Sequence, residues 1–150
     1  MTVTYVDQID SVLLTVQVSN GASPEVFSHP CLINLSRSIS LTAQATATVI
    51  PRCDTPTAPG KTVRTVTSTD STISGEGILT AATAKIYADW LMTGAPKNIK
   101  VQAGASTGHL VVTGPYILEE FTITGSKLGD EVTATVKFSQ ADQPVLTAHS

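Results

Sequence analysis

From Ile33 to Val49 the chain alternates almost without interruption. Odd positions carry Ile33, Leu35, Ile39, Leu41, Ala43, Ala45, Ala47 and Val49; even ones carry Asn34, Ser36, Ser38, Ser40, Thr42, Gln44, Thr46 and Thr48. Only Arg37 breaks the pattern. A period of two is that of a strand, so the stretch predicts β-structure with one apolar and one hydroxyl-rich face. At about 3.3 Å per residue a single strand here would reach roughly 55 Å, well beyond the usual length. It must either bend into two strands or project past the domain as a ribbon.

Other segments carry the same signature. Val12, Leu14, Val16 and Val18 alternate with Leu13, Thr15 and Gln17, and Ser19-Asn20-Gly21 supplies a turn. Ile99, Val101 and Ala103 form another alternating set, Leu110–Thr113 a short apolar run, and Tyr116–Thr124 a strand interrupted by Glu119-Glu120. If strand alternation holds through that pair, the two carboxylates point to opposite faces and cannot act together. Val132, Ala134, Val136 and Phe138 close the series. Glycines between these runs predict an antiparallel sandwich or barrel.

One segment reads differently. Thr80 can cap a helix over about 81–92, Gly94 sits where it should stop, and Pro96 prevents its resumption. Ile86, Trp90 and Leu91, with Tyr87, give it an apolar side, and Ile86, Trp90 and Leu91 are the expected core anchors. The fold class is therefore mainly β with one flanking helix. Residues 1–150 are expected to form one domain, with an N-terminal arm over about 1–8, a Pro/Gly-rich loop over 51–61 and a C-terminal arm over 140–150.

Composition narrows the function. Only 14% of residues are charged, while 23 Thr and 14 Ser make up a quarter of the 150. Such a surface can be covered by neighbours without stranding charges. The net charge is −3 and the nine basic residues are scattered, so there is no positive stripe for gripping phosphates. No apolar run is long enough for a membrane span, and the N-terminus lacks a signal-peptide layout, so a non-secreted chain without a membrane partner is expected. Cys31 and Cys53 are expected to be free thiols.

Catalytic motifs fail on context. Gly104-Ala-Ser-Thr-Gly108 matches a nucleophile elbow only as a string, because a β-like run comes after it where a helix is required; it reads as a hairpin turn. His29, Cys31 and Cys53 lack the clip spacing of a closed zinc site. No enzyme activity, metal or cofactor is expected.

The order of elements resembles the major tail tube protein of long-tailed bacteriophages over nearly the whole chain. The resemblance is carried by Gly21-Ala-Ser-Pro-Glu-Val-Phe27, by Ser74-Gly-Glu-Gly77 before the helix, and by the closing pair around Tyr116-Ile-Leu-Glu-Glu-Phe and Asp130-Glu-Val-Thr-Ala-Thr-Val-Lys-Phe. It implies a virion protein assembled in the host cytoplasm, six copies to a ring. Stacked rings then make a hollow tail tube through which duplex DNA passes without sequence-specific binding. It also implies tape measure, tail tip or baseplate, and tail terminator proteins as partners. Within that frame Arg52, Asp54 and Lys61 of the 51–61 loop are candidates for linking rings. Ser36, Ser38, Ser40, Thr42 and Glu120 are candidates for lining the lumen. The competing expectations are a secreted carbohydrate-binding β-sandwich, disfavoured by the few aromatics, and another phage structural protein such as a decoration or terminator protein.

Overall fold

A computed structural model describes residues 13–21, 24–28, 33, 35–125 and 131–149. Among the described residues, eight strands and one helix run in the order β1 (Leu14–Ser19), β2 (Phe27–Ser28), β3 (Ser36–Ile50), β4 (Lys61–Ile78), α1 (Ala81–Thr93), β5 (Lys97–Ala103), β6 (Leu110–Thr124), β7 (Thr133–Gln140) and β8 (Val145–Ala148). The strands form one antiparallel sheet in the order β2-β1-β5-β6-β7-β4-β3, with β8 pairing β6 beyond the end of β7. The sheet curls until Arg37 at the start of β3 donates from Nε to the Leu14 carbonyl of β1. The predicted β architecture with one flanking helix is the one observed.

The helix obeys its punctuation. Thr80 accepts a hydrogen bond from the Thr83 amide, and Gly94 adopts φ 72° while its amide bonds the Trp90 carbonyl. α1 packs on β6, placing Tyr87 and Trp90 against Phe121 and Phe138, with Trp90 and Phe138 ring centres 5.4 Å apart. Trp90 is buried and Leu91 half-buried against the core. Ile86 is not an anchor, being 59% exposed. Successive helical residues turn by about 100°, so a face centred on Tyr87 with Trp90 and Leu91 to either side leaves Ile86 at its rim. The remaining core comes from alternate strand positions, among them Val16, Ile73, Ile99, Val101, Val112, Tyr116 and Val136.

The long alternating stretch takes the ribbon option. β3 and β4 pair over their full shared length, from Ser36↔Glu76 to Ile50↔Lys61. β7 covers β4 only from Thr72 to Ile78. Residues 40–50 and 61–70 are therefore exposed along both strands, and the ribbon stands clear of the body. Residues 104–109 make the expected hairpin turn between β5 and β6; Gly104 has φ 109°, and a β-carbon there would lie 1.9 Å from the His109 ring. The C-terminal stretch is not a free arm throughout. Val145–Ala148 folds back as β8 along Leu110–Thr113, because Leu146 and the neighbouring residues retain strand chemistry after the Pro144 break. The expected N-terminal arm lies outside the described residues.

Candidate assembly and channel surfaces

Residues directly opposite one another on paired strands share a face. Tracing the ladders across β3, β4, β7 and β6 gives rows that alternate between the two sides of the sheet. Ile39, Ile73, Phe138 and Leu118 form one core-facing row. The next row on the opposite side is Ser38, Ser74, Lys137 and Glu120, flanked by Ser40, Thr72, Ser139 and Ile117 and by Ser36, Glu76, Thr135 and Thr122. Thr42, opposite Asp70, extends the same side onto the ribbon. All five candidate lumen residues thus lie on one face of a four-stranded band, and all five are exposed.

That face is lined by hydroxyls and is poor in positive charge. Ser38 and Ser74 share a hydrogen bond at 2.7 Å across the strands. Lys137, the basic residue in these rows, lies 3.8 Å from Glu119, and Ser139 also donates to Glu119. Thr122 donates to Glu120 at 3.3 Å. Here the expectation that Glu119 and Glu120 face opposite ways is corrected. Leu118 pairs Phe138 while Glu120 pairs Lys137, so Glu119 is the extra residue of a bulge. A bulge of this kind re-aims a side chain, and both carboxylates reach the hydroxyl-rich side.

The ribbon separates its chemistry in the same way. Ile39, Leu41, Ala43, Ala45, Ala47 and Val49 continue the core-facing side outward. A second bulge sits at Thr67, because Gln44 pairs Ser68 but Ala45 pairs Val66; the Thr67 hydroxyl bonds the Gln44 carbonyl at 3.1 Å. The bulge places Val66 beside Ala45 on the apolar side, leaving exposed Leu41, Val49 and Val66 as an uncovered stripe.

At the tip, Arg52 holds Asp54 through two hydrogen bonds of 3.0 and 2.6 Å, and its guanidinium keeps the Asp54 carboxyl below the usual aspartate range. Lys61 stands at the start of β4 opposite Ile50. The structure therefore gathers Arg52, Asp54 and Lys61 at one end. Gly60 allows the close approach there, since a β-carbon would lie 2.5 Å from the Ile50 carbonyl oxygen. Cys53 is an exposed free thiol on the same loop; His29 and Cys31 lie outside the described residues. Among the described residues no cluster of three His, Cys, Asp or Glu could hold a metal, and no helix is long and apolar enough to cross a membrane.

The band ends in two unpaired edges. Among the described strands, none pairs with the outer edge of β3, and β5 leaves β6 at Tyr116, so residues 117–124 have a free side. Neither this nor the contribution of β4, β6 and β7 to the hydroxyl face is visible from single residues, because both depend on register between distant strands.

Known proteins share this geometry. A family model described as phage tail tube protein matches residues 10–145. Among solved structures, the tail of an empty gene transfer agent particle with C6 symmetry superposes with a TM-score of 0.67 at 16% identity, covering 90% of this chain and 96% of that one. The virion of the native gene transfer agent gives 0.69 at 16% identity, with 93% and 98% covered. The sheath–tube complex of an extracellular contractile injection system in its extended state gives 0.61 at 11% identity, with 94% and 92% covered. No curated protein sequence matches the chain.

Proposed function

Because the chain belongs to the phage tail tube protein family, we propose that six copies close into a ring with the hydroxyl face of the β3-β4-β7-β6 band turned inward, and that stacked rings form the channel for DNA. As a tail tube protein it is a structural component of the virion and not an enzyme. The ring number is taken from the C6 symmetry of the gene transfer agent tail. One observation carries the reading: a four-stranded face rich in Ser and Thr ends, among the described strands, in an unpaired edge on each side. Joining β3 of one copy to residues 117–124 of the next satisfies both edges, and such a head-to-tail contact closes when the rotation is a whole fraction of a turn.

The inward face suits a passing polyanion. Six copies at −3 each carry −18 per ring, so the channel offers little of the repeated phosphate contact that makes a grip strong and salt-dependent. The ribbon tip with Arg52, Asp54 and Lys61, together with the C-terminal segment, links successive rings. The uncovered stripe of Leu41, Val49 and Val66 packs against a neighbouring copy. Tape measure, tail tip and terminator proteins meet the ends of the tube.

The test is to place lysine at Ser38, Ser40 and Thr42 together, which would add a band of positive charge to every ring. Particles with normal tails should release DNA slowly or incompletely, and more so at low salt. Unchanged release from particles shown to contain the variant contradicts the inward assignment.

A further inference from the structure

The ribbon and the C-terminal segment diverge at a single point. The last rung between β4 and β7 is Thr72↔Ser139. One residue further along each strand, Ser71 Oγ donates to Gln140 Oε1 at 2.9 Å and lies 2.8 Å from the Tyr116 hydroxyl. Gln140 Nε2 in turn reaches the Thr69 carbonyl at 3.3 Å. A serine hydroxyl has one proton to give, so Tyr116 donates to Ser71. The order is then Tyr116 to Ser71 to Gln140 to the ribbon backbone. Ser71 and Tyr116 are 1% and 0% exposed, and burial raises the Tyr116 pKa, so its donor proton is retained at neutral pH.

Past this cluster the two parts are separated by a cleft of about 260 Å³, with Leu41, Ala43 and Thr69 on the ribbon side and Pro144 and Leu146 on the other. The C-terminal side is fixed to β6. The Ala141 amide bonds the Pro115 carbonyl at 2.9 Å, and Pro144 sits over Gly114, where a β-carbon would lie 2.7 Å from Pro144 Cα. Swinging the ribbon relative to that segment would pull Thr69 and Ser71 from Gln140 and leave buried hydroxyl groups without partners, which is costly compared with losing an exposed hydrogen bond.

We propose that Ser71, Tyr116 and Gln140 form a joint coupling the ribbon to the C-terminal segment, so that seating one against a neighbouring copy restrains the other. The neighbouring copy comes from the tube reading above; the joint belongs to the single chain and is tested there. Hydrogen exchange of the isolated protein is measured across the joint. Ser71→Ala is read at the amides of Leu146–Ala148, and Gln140→Ala at ribbon amides between residues 41 and 44 and between 65 and 70.

Each variant should speed exchange on the far side about tenfold, with β1 and β5 amides unchanged. The double variant should add little to either single one, as expected for residues acting as a unit. Acceleration confined to the substituted strand, or equal acceleration in β1 and β5, overturns the joint. Tyr116→Phe should loosen both sides. If that variant loses its fold by circular dichroism, Gln140→Ala decides, since Gln140 is only half-buried and contributes a side-chain amide. A chain that never forms tubes leaves these outcomes readable.

Discussion

The body and the ribbon are written in the same alternating code, yet they end in different environments. In β7, Ala134, Val136 and Phe138 are buried to within 1%. In β3, Leu41 and Val49 hold equivalent positions on the same side of the sheet but are 48% and 65% exposed. The difference is the cover. Tyr87 and Trp90 from α1 lie over the body rows, whereas beyond the cleft that Leu41 shares with Pro144 and Leu146 the described chain supplies nothing over the outer ribbon. Alternation specifies which side of a strand is apolar; only the rest of the fold, or another copy, specifies what covers it.

This contrast orders the expected effects on the single chain. Phe138→Ala removes a fully buried ring packed against both Tyr87 and Trp90 and should cost about 3–5 kcal/mol, measured by denaturant unfolding. Thr80→Ala removes the helix cap and should cost about 1 kcal/mol in the same assay. Alkaline titration should give a smaller, selective effect. The Tyr116 pKa is raised in the folded state, so its stabilisation is complete below the ordinary tyrosine value of about 10 and is lost as pH rises from there through the folded value. Tyr116→Phe should flatten that part of the stability profile.

Smallest of all should be Val66→Asp on the ribbon, within about 0.5 kcal/mol for the single chain because the site is already exposed. The same substitution should prevent tube formation, assayed by electron microscopy. A large loss of single-chain stability at Val66, or normal tubes from the variant, would erase the distinction between body and ribbon.

Much of this is legible in the sequence because it is local. The capping of α1 by Thr80 and Gly94, the turn at 104–109 and the two faces of β3 each depend on residues a few positions apart. The missing parts arise where strands meet. Two bulges, at Thr67 and Glu119, each add one residue and exchange the faces of the positions beyond it. They place Val66 on the apolar stripe and bring Glu119 beside Lys137, which no count along one strand foretells. Ile86 fails for a related reason: its spacing from Trp90 is correct, but the centre of the buried arc is set by Tyr87 packing on Phe121.

The most direct measurement is a cryo-electron microscopy reconstruction of tubes grown from the purified protein, at a resolution that shows side chains. It should place Ser38, Ser40, Thr42 and Glu120 on the inner wall, with backbone hydrogen bonds joining β3 of each copy to residues 117–124 of the next. A wall with this face outside, or with those two edges still apart, contradicts the account.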